Sequence, residues 1–184
     1  MEEQNHDITQ MLASLHSLDG ADFSRQVEQI AKRSEFRPLE GENGIFLCGG
    51  EKSTDYNNLL NAARWAVYHK YNVYILPNPK GIRTPDFIFE RRGIYRIYDL
   101  KTIHGKASAG NRLKESIGQT NRVLLNMRCK YKAQILALDI RAYFIASPFA
   151  LEVLVLKGHK LISVNRNMAM SKQFISTFRK DYER

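Results

Sequence analysis

Thr84-Pro85-Asp86-Phe87-Ile88-Phe89-Glu90, followed after Arg91-Arg92-Gly93 by Ile94-Tyr95-Arg96-Ile97-Tyr98-Asp99-Leu100-Lys101-Thr102, is the stretch on which the reading of this chain turns. Two runs rich in Ile, Phe and Tyr flank Arg92-Gly93, so they read as an antiparallel strand pair. Strand side chains alternate between faces, which puts Tyr95, Ile97, Asp99 and Lys101 on one side. An even-numbered loop centred on Arg92-Gly93 then sets Asp86 across from Asp99. Two carboxylates about 5 Å apart repel each other, and a divalent cation between them removes the conflict. Mg²⁺ takes oxygen ligands, usually one or two carboxylates completed by water and substrate phosphate. It polarises a phosphoryl group and activates an attacking water, and Lys101 beside it holds that water or neutralises developing charge. The plainer alternative makes Asp86 a turn residue after Pro85 and Asp99–Lys101 a surface ion pair.

Outward from this pair, the spacing predicts a long helix from about Gly110 to Met127 with an inner stripe of Leu113, Ile117, Thr120, Leu124 and Met127. On that helix Arg112, Ser116, Gln119, Arg122 and Asn126 form an opposite basic and amide-bearing face suited to a phosphate backbone. The preceding loop, His104-Gly105-Lys106-Ala107-Ser108-Ala109-Gly110, is small and basic. Upstream, Ile45-Phe46-Leu47-Cys48 reads as a short strand, a helix capped at Ser53 or Thr54 runs to about His69, and Tyr71 to Leu76 reads as a strand ended by Pro77-Asn78-Pro79. Downstream come two apolar stretches, Ala133 to Leu138 and Ala142 to Ala146. A hairpin around Gly158-His159 and a helix from Ser171 to Arg179 follow. Two short helices, Ile8 to Leu18 and Asp22 to Ser34, precede everything. The whole predicts an α/β or α+β fold, a central mixed sheet flanked by helices. Residues 1–40 are expected to be a helical appendage and 41–184 the main domain.

The charge balance points to the class of partner. The chain of 184 residues carries net charge +9. Residues 1–55 hold 11 acidic against 5 basic residues, and residues 91–132 hold 11 basic against 2 acidic. A basic segment of that density suits a polyanion, nucleic acid first. No apolar stretch approaches the roughly 20 residues needed to span a bilayer, and the acidic first residues are unlike a signal peptide. The expectation is a cytoplasmic protein without membrane attachment. Cys48 and Cys129 provide neither a disulfide framework nor a four-ligand zinc site.

At Pro85-Asp86 and Asp99-Leu100-Lys101 the sequence resembles the PD-(D/E)XK nuclease superfamily. It is most similar to the C-terminal nuclease toxin domains of contact-dependent growth inhibition (CdiA-type) proteins. Ala62-Ala63, Tyr71-Asn72-Val73, Asn78-Pro79, Thr84-Pro85-Asp86-Phe87, Asp99-Leu100-Lys101 and Gln119 carry that resemblance, over about residues 54–127. It implies a restriction-endonuclease-like core and a metal-dependent nuclease, with RNA, tRNA in particular, favoured over DNA. Asp86 and Asp99 would bind Mg²⁺ or Mn²⁺, Lys101 would be the catalytic lysine, and Gln119 would stand near the scissile phosphate. Lys106, Arg112, Ser116 and Arg122 are expected to bind nucleic acid, with His104 beside the site. The superfamily's helix Glu has no counterpart; the position is Asn61, with Asp55 or Glu51 as the substitute if the helix begins early. That departure keeps open a nuclease-like fold that binds without cutting, beside a DNA endonuclease of defence or repair. The resemblance also implies a cognate immunity or inhibitor protein. Oligomeric state stays open, a homodimer included.

Overall fold

In a computed structural model of the chain, the described residues are 2–49, 54–78, 83–105 and 109–184, with side chains described from Ile8 onward. The chain divides into two compact units at Tyr98/Asp99.

In the first unit, α1 (Glu2–Ser14), a 3-10 turn (Leu15–Ser17) and α2 (Gly20–Ala31) precede β1 (Phe36–Pro38) and β2 (Ile45–Cys48). Then come α3 (Tyr56–Tyr68), β3 (Asn72–Ile75), β4 (Phe87–Arg91) and the first half of β5 (Ile94–Ile103). β2 and β3 are parallel, so α3 is the crossover between them, burying Leu59, Ala62, Ala63 and Ala66. β1 pairs antiparallel with β2, and β3 with β4. Ile8, Leu12, Leu15, Val27, Ile30 and Ala31 of the leading helices form one buried cluster with Phe36, Cys48, Leu76, Ile88 and Ile97. Residues 8–31 are therefore part of this unit's core, and the expected boundary near residue 40 does not coincide with the observed division. The amphipathic spacing of α2 explains why: its apolar stripe has no burial except against a sheet.

The hairpin β4–β5 has the register expected from its turn. Phe87 pairs with Tyr98, Ile88 with Ile97, Phe89 with Arg96, Glu90 with Tyr95 and Arg91 with Ile94. Arg92 and Gly93 both have positive φ, 55° and 75°, as a two-residue turn matched to strand twist requires. The Gly93 N–H also donates to Glu90 Oε1 at 2.7 Å.

The second unit begins with the other half of β5, which pairs parallel with β6 (Arg122–Met127). β6 pairs parallel with β7 (Glu152–Lys157), and β7 antiparallel with β8 (Lys160–Asn165). α4 (Ala109–Glu115) crosses from β5 to β6, α5 (Ala133–Ala146) from β6 to β7, and α6 (Arg166–Met170) and α7 (Phe174–Glu183) close the chain. One face of this ladder, with Ile103, Val123, Leu125, Val153, Val155 and Val164, packs under Leu113 of α4 and Leu136, Ala137, Ile140, Tyr143 and Phe144 of α5.

The helix expected over Gly110–Met127 is corrected. α4 ends at Glu115, a turn with Gly118 at φ 81° follows, and Arg122–Met127 is a strand. β6 lies between two parallel neighbours and is buried along nearly its whole length. Such a strand is a continuous apolar run, and Val123-Leu124-Leu125 fell onto helical spacing by coincidence. The two apolar stretches Ala133–Leu138 and Ala142–Ala146 are corrected in the opposite sense, since they form one helix, α5. The mixed sheet flanked by helices is as expected.

Candidate active site

Asp99 is the polar residue around which the second unit is arranged. It is 5% exposed and shares a strand face with Lys101 and Ile103, whose side chain enters the core under α4 and α5. Lys101 Nζ lies 2.7 Å from Asp99 Oδ2. Ser116, fully buried just after α4, places its Oγ 3.2 Å from the same oxygen and 3.1 Å from the Arg112 carbonyl. A hydroxyl has one proton to donate, so these two acceptors compete for it. Asp99–Lys101 is thus a largely buried ion pair, and the surface-pair alternative does not describe it. Taking both charges out of water is costly unless geometry and further hydrogen bonds compensate, and Ser116 supplies one such bond.

Tyr143 of α5 adds a fourth group. It is 2% exposed and its hydroxyl has no hydrogen-bond partner among the described residues. Burial pushes the phenol up to about 12, the Asp99 charge pushes it the same way, and the Arg166 guanidinium opposes. Arg166 itself is held by the Phe144 carbonyl at 2.6 Å and by the Ser147 carbonyl. Sequence reading missed Tyr143 because nothing in strand or helix spacing ties α5 to β5. The parallel crossover that brings them together is a tertiary fact.

α4 is positioned by α5. Asp139 accepts from Tyr131 Oη at 3.0 Å, and its carboxylate sits where a Cβ on Gly110 would be, 2.8 Å from Oδ1. Only glycine lets the start of α4 come so close, and α4 in turn delivers Ser116 to Asp99.

Asp86 belongs to the first unit, immediately before β4. It is half-buried, its N–H donates to the Tyr98 carbonyl at 3.0 Å and its carbonyl accepts from Leu76 N–H at 2.9 Å. The backbone is therefore fixed on both sides at this residue. Thr84 anchors the approach, its Oγ1 donating to the Pro77 carbonyl at 3.0 Å.

The other expected site residues are distributed differently. Ser116 is a buried partner of Asp99 and not a nucleic-acid contact. Arg122 starts β6, and its Nε lies 3.5 Å from Glu152 Oε2. Arg112 is exposed on α4 and pairs with Glu115 at 2.9 Å. Gln119 lies in the turn after α4 and donates to the Glu115 carbonyl at 2.6 Å. Arg112, Ser116, Gln119, Arg122 and Asn126 accordingly do not form one helical face. His104 is exposed just beyond β5, and Lys106 lies outside the described residues. Asp55 stands at the start of α3, where its carboxylate accepts from the Asn58 amide, and Asn61 is half-buried on α3.

No cluster of three His, Cys, Asp or Glu side chains able to hold a metal occurs among the described residues. The donors on offer are carboxylate oxygens, which suit Mg²⁺ or Mn²⁺, ions that retain waters and substrate phosphate in their shell. No helix among the described residues is long and apolar enough to cross a membrane.

No family model matches the sequence, and no curated protein matches it. Among solved structures it is similar to a chain of the CdiA-CT/CdiI toxin and immunity complex from Burkholderia pseudomallei, at 16% identity and a TM-score of 0.44. That match covers 65% of this chain and 98% of the other.

Proposed function

We propose that the chain is a metal-dependent nuclease of the PD-(D/E)XK type. The observation that carries this reading is the buried Asp99–Lys101 pair, linked at 2.7 Å on one face of β5. A fold does not bury a carboxylate and an ammonium beside an orphaned phenol for stability alone.

In this reading Asp99 would hold Mg²⁺, with Asp86 as the second carboxylate that the motif resemblance implies, and the bound ion would lower the pKa of a water and polarise the phosphoryl group. Lys101 holds its proton-rich ammonium against the developing negative charge, and Ser116 keeps Asp99 oriented as an acceptor. The strongly basic second unit, with 16 basic and 6 acidic residues in 99–184, draws in the polyanion. The motif resemblance favours RNA, tRNA in particular, over DNA, and a cognate inhibitor protein as a partner.

The reading is tested by incubating the purified chain with tRNA, single-stranded DNA and duplex DNA in Mg²⁺, Mn²⁺ or EDTA. Cleavage in either metal and none in EDTA is expected, with tRNA cut fastest. Binding without cutting in every metal gives the alternative, a nuclease-like fold that only binds nucleic acid.

A further inference from the structure

α5 carries two apolar faces, with Gln134, Asp139 and Arg141 between them. Its inner face is buried through Leu136, Ala137, Ile140, Tyr143 and Phe144. On the opposite face Ile135 is 42% exposed, Leu138 46% and Ile145 66%, and just past the helix end Phe149 is 85% exposed. Ala142, also exposed, lies between Leu138 and Ile145 on the same stripe. A surface helix ordinarily sets polar residues opposite its buried face, and contiguous apolar patches of several hundred Å² mark interaction sites.

We infer that this stripe is the contact surface of a homodimer, in which α5 packs antiparallel against α5 of a second copy. Three features favour a second copy as the occupant. The stripe bears no charge of its own, so it suits a surface equally uncharged. Its order, large Ile135, large Leu138, small Ala142, large Ile145, is self-complementary about a two-fold axis near the helix centre. Antiparallel pairing sets Ile135 against the other copy's Ile145 and seats Leu138 over its Ala142. Isologous contacts of this kind are the commonest route to a closed dimer. The area is near what a dimer needs. With Phe149 the stripe exposes roughly 500 Å² of side chain per copy, so its complete burial in a pair removes on the order of 1,000 Å², the lower bound for a specific interface. This inference does not depend on the nuclease reading.

The test is sedimentation equilibrium of the full chain between about 1 and 100 µM. The wild type is expected to move from 21.3 kDa toward twice that mass across this range. Leu138→Glu is expected to raise the dissociation constant by about 10-fold or more while leaving far-UV circular dichroism unchanged, and melting unchanged at concentrations where both chains are monomeric, since the residue is exposed. Leu138→Glu combined with Ala142→Lys is expected to restore the dimer, because each glutamate then faces a lysine of the other copy. A wild type that stays monomeric throughout overturns the inference. So does a Leu138→Glu chain that dimerises as the wild type does, which would place the contact on another face.

Discussion

The two units of this chain differ in what they bury. Every polar or charged residue buried among the described residues, Asp99, Ser116, Asn126, Ser147 and Glu152, lies in the second unit. The first unit buries apolar side chains and carries its charges at or near the surface. The second unit also exposes Ile117, Ile135, Leu138, Ile145, Phe149, Leu151, Met168 and Met170, whereas among the described residues of the first the exposed large hydrophobics are Tyr68 and Ile94. Polar groups inside and apolar groups outside both cost stability. The second unit therefore carries the features that stability alone disfavours, and the first carries few of them among its described residues. Net charge divides along the same line, with 12 basic and 13 acidic residues in 1–98 against 16 and 6 in 99–184.

The contrast predicts a graded set of effects. The largest belongs to Asp99→Ala, which leaves Lys101 without its partner in a largely buried place. It should cost about 3 kcal/mol of stability in chemical denaturation. Asp86→Ala, at a half-buried position in the first unit, should cost about 1 kcal/mol or less. Equal losses for the two would erase the distinction between the units.

Next comes the response to alkali. Tyr131, Tyr143 and Tyr182, all in the second unit, are pushed up to about 12, chiefly by burial. Phenols of the unfolded chain ionise near pH 10, so between pH 10 and 12 the unfolded state releases protons that the folded unit retains. Stability is therefore whole below pH 10 and falls as pH rises toward 12. Trp65, the single tryptophan, stands on α3 of the first unit, so its fluorescence follows that unit. The expected result is that circular dichroism loses signal at lower alkalinity than Trp65 fluorescence does. Tyr143→Phe should make the second unit less sensitive.

A smaller effect is expected at Gly110. Its added Cβ would meet Asp139 Oδ1 at 2.8 Å, and Tyr131 holds that carboxylate in place. Gly110→Ala should cost about 1–2 kcal/mol in thermal melting, with some loss of activity through displaced Ser116. The smallest effect closes the series. Asp22→Ala removes an exposed pair with Arg25 at 3.1 Å in the first unit and should change stability by less than about 0.5 kcal/mol.

The same division governs how much could be read from the sequence. In the first unit α2 and α3 have one wet side and the β4–β5 hairpin a two-residue turn, so periodicity and turn chemistry are informative. Ile45–Cys48 is the strand expected, and the Arg92-Gly93 turn fixed the hairpin register correctly because two residues of positive φ leave one pairing. Phe36–Pro38 was missed because a strand of three residues ending in proline has no alternation to show. In the second unit the central strands β6 and β7 are buried on both faces, and alternation disappears there. Val123-Leu124-Leu125 then passed for part of a helix, although Gly118 and Thr120 already interrupted it. The unbroken length of Ala133–Ala146 was the signal for α5, since strands seldom run so far. At the site, Asp99 and Lys101 were legible from strand alternation alone. Ser116 was named for the wrong reason, and Tyr143 was out of reach because only the crossover between parallel strands brings α5 over β5.

The most direct test of the account is the single-turnover cleavage rate of tRNA in Mg²⁺, compared between wild type and Asp99→Asn. The asparagine keeps the shape of the side chain and a carbonyl acceptor for Ser116 while removing the charge. With the variant shown to be folded by circular dichroism, the account predicts a rate lower by about 100-fold or more. A folded Asp99→Asn chain that cuts as fast as the wild type would contradict it.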